Sequence, residues 1–295
     1  ELSGKDATTL AWAYVRLDHC AQGTAGARLL DVLVPVTVAQ AASLSPFFLA
    51  SAAWAFTQSG RATPELLDAI ARGVARARPS HFSPHDVAQL AWSFAKAWPH
   101  AEQAVATSGP AAAAQGHTGI HGSEDSLEQA AEENFTALRH SHPTAPPPPP
   151  IFRALARVVE RRARLFPPPT VARTAWAFAT VGDPSPEVFT ALSQATVGQL
   201  RDFNPQELAT VAWAYASVGR PSPLMFTELA ARSVGGELGI DSFSMQGLAM
   251  LAHAFAKARH RSPPLFKAIA PRMAARMGEG SPQAITMAVW AFATA

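Results

Sequence analysis

The stretch "ELATVAWAYASVGRPSP", residues 207–223, decides the fold of this chain, because close relatives of it return along the whole sequence. It places Leu208, Ala209, Ala212, Trp213 and Tyr215 at offsets of 0, 1, 4, 5 and 7, which fall on one face of an α-helix. The alanines on that face let a neighbouring helix approach closely. After it, "VGRPSP" stops one helix and starts another, since glycine suits a helix C-terminus and proline the first turn of the next helix.

Aligned on the aromatic position, the chain shows Trp12, Trp54, Trp92, Trp176, Trp213, His253 and Trp290, at spacings of 42, 38, 84, 37, 40 and 37. A period in the upper thirties marks a repeat array, each unit too small to bury its own apolar face. Start signals precede the aromatic helix, "FSP" at 82–84, "FNP" at 203–205 and "GSP" at 280–282, with Ser or Asn as N-cap and proline in the first turn. Asn204 with Glu207 reads as a capping box. A second helix follows in each unit, as in "PELLDAIARGVARAR" at 64–78. With the aromatic helix termed A and the second B, the predicted fold is all-α: a right-handed α-solenoid of about six to seven two-helix repeats of 37–42 residues.

The spacing of 84 is one period plus roughly 46 residues, which locates an insert between helices A and B of one unit. The predicted organisation is helical repeats over 1–98, an Ala/Gly/His/Pro-rich insert over 99–147 expected to be disordered, and repeats over 148–295, the last cut short. Inside the insert, "SEDSLEQAAEENFTALRH" at 123–140 has the composition of a short acidic helix. Both ends read as cut from a longer chain.

A hydrophobic fraction of 48% against 16% charged residues excludes a disordered chain. The formal charge of +2 permits an anionic partner without demanding one. Cys20 is the single cysteine, so an intrachain disulfide framework is excluded. The uncharged run between Asp31 and Arg61 is interrupted by Pro35 and Pro46 and diluted by Gln40, Ser43, Ser45 and Ser51, which argues against a membrane span. No Gly-rich phosphate loop, serine nucleophile elbow or zinc-type cysteine pair is present. The His117/His121 and His140/His142 pairs lie in the insert, so neither catalysis nor a metal or other cofactor is expected.

The Trp and Phe/Tyr stripe is read as core. More informative are positions that vary while the core positions hold. Three residues before the aromatic slot stand Thr9, Ser51, Gln89, Arg173, Thr210, Met250 and Met287; four after it stand Arg16, Gln58, Lys96, Thr180, Ser217, Lys257 and Thr294. Positions seven apart share a helical face, so both sets are predicted to form one mostly polar line on helix A, suited to reading nucleotides one repeat at a time. On one B helix, Arg153, Arg157, Arg161 and Arg164 follow at spacings of 4, 4 and 3, a row fit for phosphates. Arg72, Arg76 and Arg78, and Lys267, Arg272 and Arg276, extend the basic character of the B helices.

With these phrases, "LAWSFAK", "TAWAFATVGDPSPEVF" and "VAWAYASVGRPSPLMF", the chain resembles the octotricopeptide repeat proteins of algal organelles. It is also similar to related repeats of apicomplexan proteins (heptatricopeptide) and of animal FAST-kinase-like proteins, which often carry a RAP domain. The phrase Pro-Pro-Pro-Glu-Trp typical of many such repeats stands here as "PSPEVF" at 184–189. The resemblance implies an RNA-binding protein of chloroplast or mitochondrion that holds single-stranded RNA on a concave helix A face. Such a protein stabilises, processes or activates translation of particular transcripts, alone or with other proteins of an RNA-processing complex, and acts away from membranes. The candidate RNA contacts are Thr9, Arg16, Ser51, Gln58, Gln89, Lys96, Arg173, Thr180, Thr210, Ser217, Lys257 and the four arginines. A protein-binding scaffold is the competing reading, supported by Met250 and Met287 on the same line.

Overall fold

The N-cap signals act as the spacing requires. Ser3, Thr63, Ser83, Asn204, Ser244 and Ser281 each accept a backbone N–H from the first turn they precede. Asn204 and Glu207 close the capping box in both directions, and Ser83 with Asp86 makes an equivalent pair. A computed structural model describes residues 2–17, 25–106, 148–183, 185–235 and 239–295, with backbone alone over 98–106. Among them run thirteen α-helices: α1 (Gly4–Arg16), α2 (Ala25–Gln40), α3 (Pro46–Gln58), α4 (Pro64–Arg76), α5 (Pro84–Ala106), α6 (Pro150–Arg162), α7 (Pro168–Thr180), α8 (Pro186–Gly198), α9 (Pro205–Ser217), α10 (Pro223–Gly235), α11 (Met245–Lys257), α12 (Pro263–Ala275) and α13 (Pro282–Thr294). The odd-numbered helices from α1 to α13 are the A helices; the even-numbered ones are the B helices.

The fold is an all-α solenoid of helical repeats. The chain divides into two compact units, the first holding α1–α5 and α6 to Val158, the second the rest of α6 from Val159 and α7–α13. In the first unit α3 packs between α1 and α5, while α2 packs on α1 and α4. In the second, A helices stack in the order α7, α9, α11, α13, and B helices in the order α8, α10, α12.

Helices α4, α6, α8 and α10 bury side chains at i, i+1, i+4 and i+8, apolar throughout in α4 and α6 and ending in Thr196 on α8 and Ser233 on α10. Leu66, Leu67, Ile70 and Val74 on α4, and Ile151, Phe152, Leu155 and Val159 on α6, are all buried. Phe82, Phe166, Phe203 and Phe243 lie one residue before the N-cap of an A helix, where a staple residue packs back onto the first turns, and all four are buried. Tyr215 of α9 donates its hydroxyl to the Phe189 carbonyl of α8, and burial pushes its phenol well above the usual range. Side chains just after the B helices tie successive repeats: Gln199 Nε2 donates to the Phe166 carbonyl at 2.9 Å and Arg276 to the Phe243 carbonyl at 2.8 Å.

Four A helices, α3, α7, α9 and α11, end in one recurrent turn. Gly60, Gly182 and Gly219 adopt φ of 70°, 69° and 68°, and the following N–H reaches back to the carbonyl of Phe56, Phe178 or Tyr215. In α11 the same site is Arg259, at φ 53°.

Helix α5 runs to Ala106, so helix overlaps the first residues of the segment read as the insert. Residues 107–147, with the candidate acidic helix at 123–140 and the four paired histidines, lie outside the described residues, as does Cys20. The segment Ala25–Ser43 is long and apolar enough to cross a bilayer. Its Ala27, Leu30, Leu33 and Thr37 are buried, and α2 packs on α1 and α4.

Candidate nucleic-acid interface

Every A helix has two flanks, and the terminal helices reveal which residues belong to each. In α13, the last A helix described, Thr286, Val289 and Ala293 are exposed, while Met287, Ala288 and Ala291 are buried against α11 and its surroundings. In α1, the first A helix described, the pattern reverses: Thr9 and Leu10 are exposed, and Thr8 and Ala11 are buried. The flank toward the next helix therefore uses positions four and one before the slot and three after it. Internal repeats fill them with alanine: Ala172, Ala175 and Ala179 on α7, Ala209, Ala212 and Ala216 on α9, Ala249, Ala252 and Ala256 on α11, all buried. Three alanines one turn apart let the next helix backbone come close.

The flank toward the preceding helix includes the position three before the slot. That position was expected to lie on an open reading face; instead it mostly lies in the seam between repeats. Ser51, Gln89, Thr210, Met250 and Met287 are buried, and the Thr210 hydroxyl donates to the Gln206 carbonyl at 2.8 Å. The single sequence could not separate the two sets, because positions seven apart do share a stripe. What differs is height along the helix: the earlier position lies at mid-helix under the neighbour, the later one at the end. Thr9 stays exposed, and its hydroxyl donates to the Lys5 carbonyl. Arg173, half-buried on α7, has no carboxylate partner among the described residues, and burial lowers its pKa.

The position four after the slot is different. In the first unit Arg16 is exposed and Gln58 and Lys96 are half-buried; in the second Thr180 and Ser217 are half-buried and Lys257 and Thr294 exposed. The residue is polar in all seven A helices. Neighbouring members meet, with Lys96 Nζ 3.5 Å from Gln58 Oε1. Two of the cations lie over the indole of their own slot residue one turn back, Arg16 at 5.6 Å from the Trp12 ring and Lys96 at 5.1 Å from that of Trp92. Lys257 acts on its slot residue too: burial first, and the Lys257 charge second, hold the His253 imidazole down at about 4.

Trp92, Trp176 and Trp213 are buried, as the stripe reading requires, whereas Trp54 is half-buried and Trp12 and Trp290 are exposed. His253 is buried with its ring 4.8 Å from that of Trp290, so slot residues of adjacent A helices touch.

Of the arginine row, Arg153, Arg157 and Arg161 are exposed along α6, and no carboxylate among the described residues pairs with them. Arg164 lies in the turn after α6, exposed, with a guanidinium nitrogen 3.2 Å from Gln194 Oε1. Arg72, Arg76 and Arg78 are exposed at the end of α4. Of Lys267 and Arg272 on α12 and Arg276 just after it, only Lys267 stays uncommitted, because Arg272 pairs with Asp241 and Arg276 with Glu279. Arg276–Glu279 is a local i,i+3 pair, whereas Arg272–Asp241 joins residues 31 apart that stacking of successive repeats brings together. Among the described residues no group of three or more His, Cys, Asp or Glu side chains converges.

No protein-family model matches the chain, and no curated protein matches it.

Proposed function

We propose that this chain is an RNA-binding helical-repeat protein that holds single-stranded RNA along the C-terminal ends of its A helices. The observation that carries the reading is the position four after the slot: one polar side chain per repeat, at the same height on each A helix, cationic at Arg16, Lys96 and Lys257. Within each unit such a row offers successive nucleotides one hydrogen-bonding group per repeat, as helical one-base-per-repeat readers do. The cations and the exposed arginines of α6 supply phosphate contacts, which position the strand without reading it. Arg173 adds a guanidinium that no described carboxylate neutralises. The resemblance to octotricopeptide repeats supplies the setting: a chloroplast or mitochondrion, and stabilisation, processing or translational activation of particular transcripts.

The test is selection from a randomised single-stranded RNA pool, with sequencing of the retained fraction. A short enriched motif is expected, shifted by Gln58→Ala, Lys96→Ala and Ser217→Ala and unmoved by Thr210→Ser, whose site is buried. No retention at low salt overturns the RNA reading and turns the search to protein partners of the same array.

A further inference from the structure

Helix α7 carries three hydrogen-bond donors that the folded chain leaves without acceptors. Trp176 is fully buried, and its indole N–H has no partner among the described residues. The Thr180 hydroxyl, four residues on, is buried and equally unpaired. Arg173, three residues before Trp176, is half-buried and has neither a carboxylate nor another hydrogen-bond partner among the described residues. Offsets of three and four place the three on one stripe of a single helix, over about 10 Å of its length at 1.5 Å per residue. Thr174, whose hydroxyl is also buried and unpaired, lies on the opposite face.

The other A helices spend these positions differently. At the equivalents of Arg173, the hydroxyls of Thr9, Ser51 and Thr210 donate to the carbonyls four residues back, and Met250 and Met287 have no donor to offer. Of the equivalents of Thr180, Lys96 reaches Gln58 Oε1, and Thr294 donates to the Trp290 carbonyl at 2.7 Å. A hydroxyl at a helical threonine ordinarily finds that carbonyl, and the Thr180 hydroxyl does not.

A guanidinium and an indole N–H donate only, so a ligand on this stripe must bring acceptors. A phosphate gathers its donors round one centre. These donors are strung along the helix instead, as the edge of a flat base requires. Of the four bases, guanine alone sets two acceptors, O6 and N7, on its Hoogsteen edge with no donor beside them, and the arginine fork spans that pair. Bases of a single strand leave this edge open to a protein.

We propose that the α7 repeat is a guanine site, in which Arg173 donates to O6 and N7 of one base of the bound strand and Trp176 and Thr180 supply the donors beside it. The assignment rests on the RNA reading above and adds which base one repeat selects.

Selection from the randomised single-stranded RNA pool, run side by side with wild type, Arg173→Gln and Arg173→Met, tests it, each protein first checked by far-ultraviolet circular dichroism and melting. Methionine is the residue that α11 and α13 already carry at this position, so Arg173→Met keeps a side chain the repeat accommodates. The wild-type motif is expected to hold one guanine that Arg173→Gln converts to adenine, whose N6 and N7 a glutamine amide matches, and that Arg173→Met leaves unselected, with the other positions unmoved. In an oligonucleotide of the selected motif, 7-deazaguanine at that position is expected to weaken wild-type binding about tenfold and Arg173→Gln binding far less. A motif without guanine, a guanine that survives both substitutions, or an equal loss of every sequence, as a phosphate contact gives, overturns the assignment and leaves the RNA reading standing. No retention by the wild type at low salt overturns both.

Discussion

At the residue scale, Arg259 is an arginine in a glycine's place. Its φ of 53° matches the 70°, 69° and 68° of Gly60, Gly182 and Gly219 at the same turn, and an L-residue meets a steric penalty there. Arg259→Gly is therefore expected to raise stability by about 1 kcal/mol, and Gly182→Ala to lower it by about the same, in urea denaturation. No heavy atom lies within 4 Å of the added Cβ at Gly182, so the backbone alone is tested. His253 gives a second residue-level prediction. The unfolded chain takes up a proton near the ordinary histidine value, the folded one only near 4. Across that window the unfolded state binds more protons, so stability rises with pH and is lost as pH falls from about 6.5 toward 4, by about 2–3 kcal/mol. His253→Trp, the residue used in the other six slots, should flatten that limb of a pH–melting curve.

At the element scale, the A helix is a two-flanked object whose alanines set the spacing of repeats. Ala212 lies fully buried on the following flank of α9. Ala212→Leu forces methylenes into the seam with α11 and is expected to cost about 1–3 kcal/mol, whereas Val289→Ala, exposed on α13, should change monomer stability by less than about 0.5 kcal/mol. Thermal melts of both variants at low protein concentration separate the two sites. The same seam explains the fate of the candidate reading residues. Packing took Ser51, Gln89, Thr210, Met250 and Met287 into the junction and left Gln58, Lys96, Ser217 and Lys257 in reach of solvent.

At the scale of the whole molecule, charge is modest overall, and its placement is what would matter for a polyanion. If α6 holds phosphates, binding to single-stranded RNA falls with salt, and replacing Arg153, Arg157, Arg161 and Arg164 with Gln reduces the log–log salt slope by about 0.7 for each phosphate no longer neutralised. Motif choice in the retained RNA should not move, since phosphate contacts carry no sequence information. A filter-binding series from low to moderate salt reads the slope. An unchanged slope would place the phosphate contacts elsewhere, with the cations of the A-helix ends first in line.

The repeat period, the helix boundaries at Ser/Asn-Pro and Gly, the apolar stripe and the core role of the tryptophans were legible in the amino-acid sequence, because they follow from local backbone preferences and a 3.6-residue periodicity that recur in every unit. The sequence also determined which residue types vary from repeat to repeat. Only the tertiary structure decided which of those varying positions meet solvent. A helix face says nothing of what packs on it, and the neighbour that buries Thr210 and spares Ser217 lies a whole repeat away. The pairing of Arg272 with Asp241 is of the same kind: it depends on which helix stands next in space, which stacking alone settles.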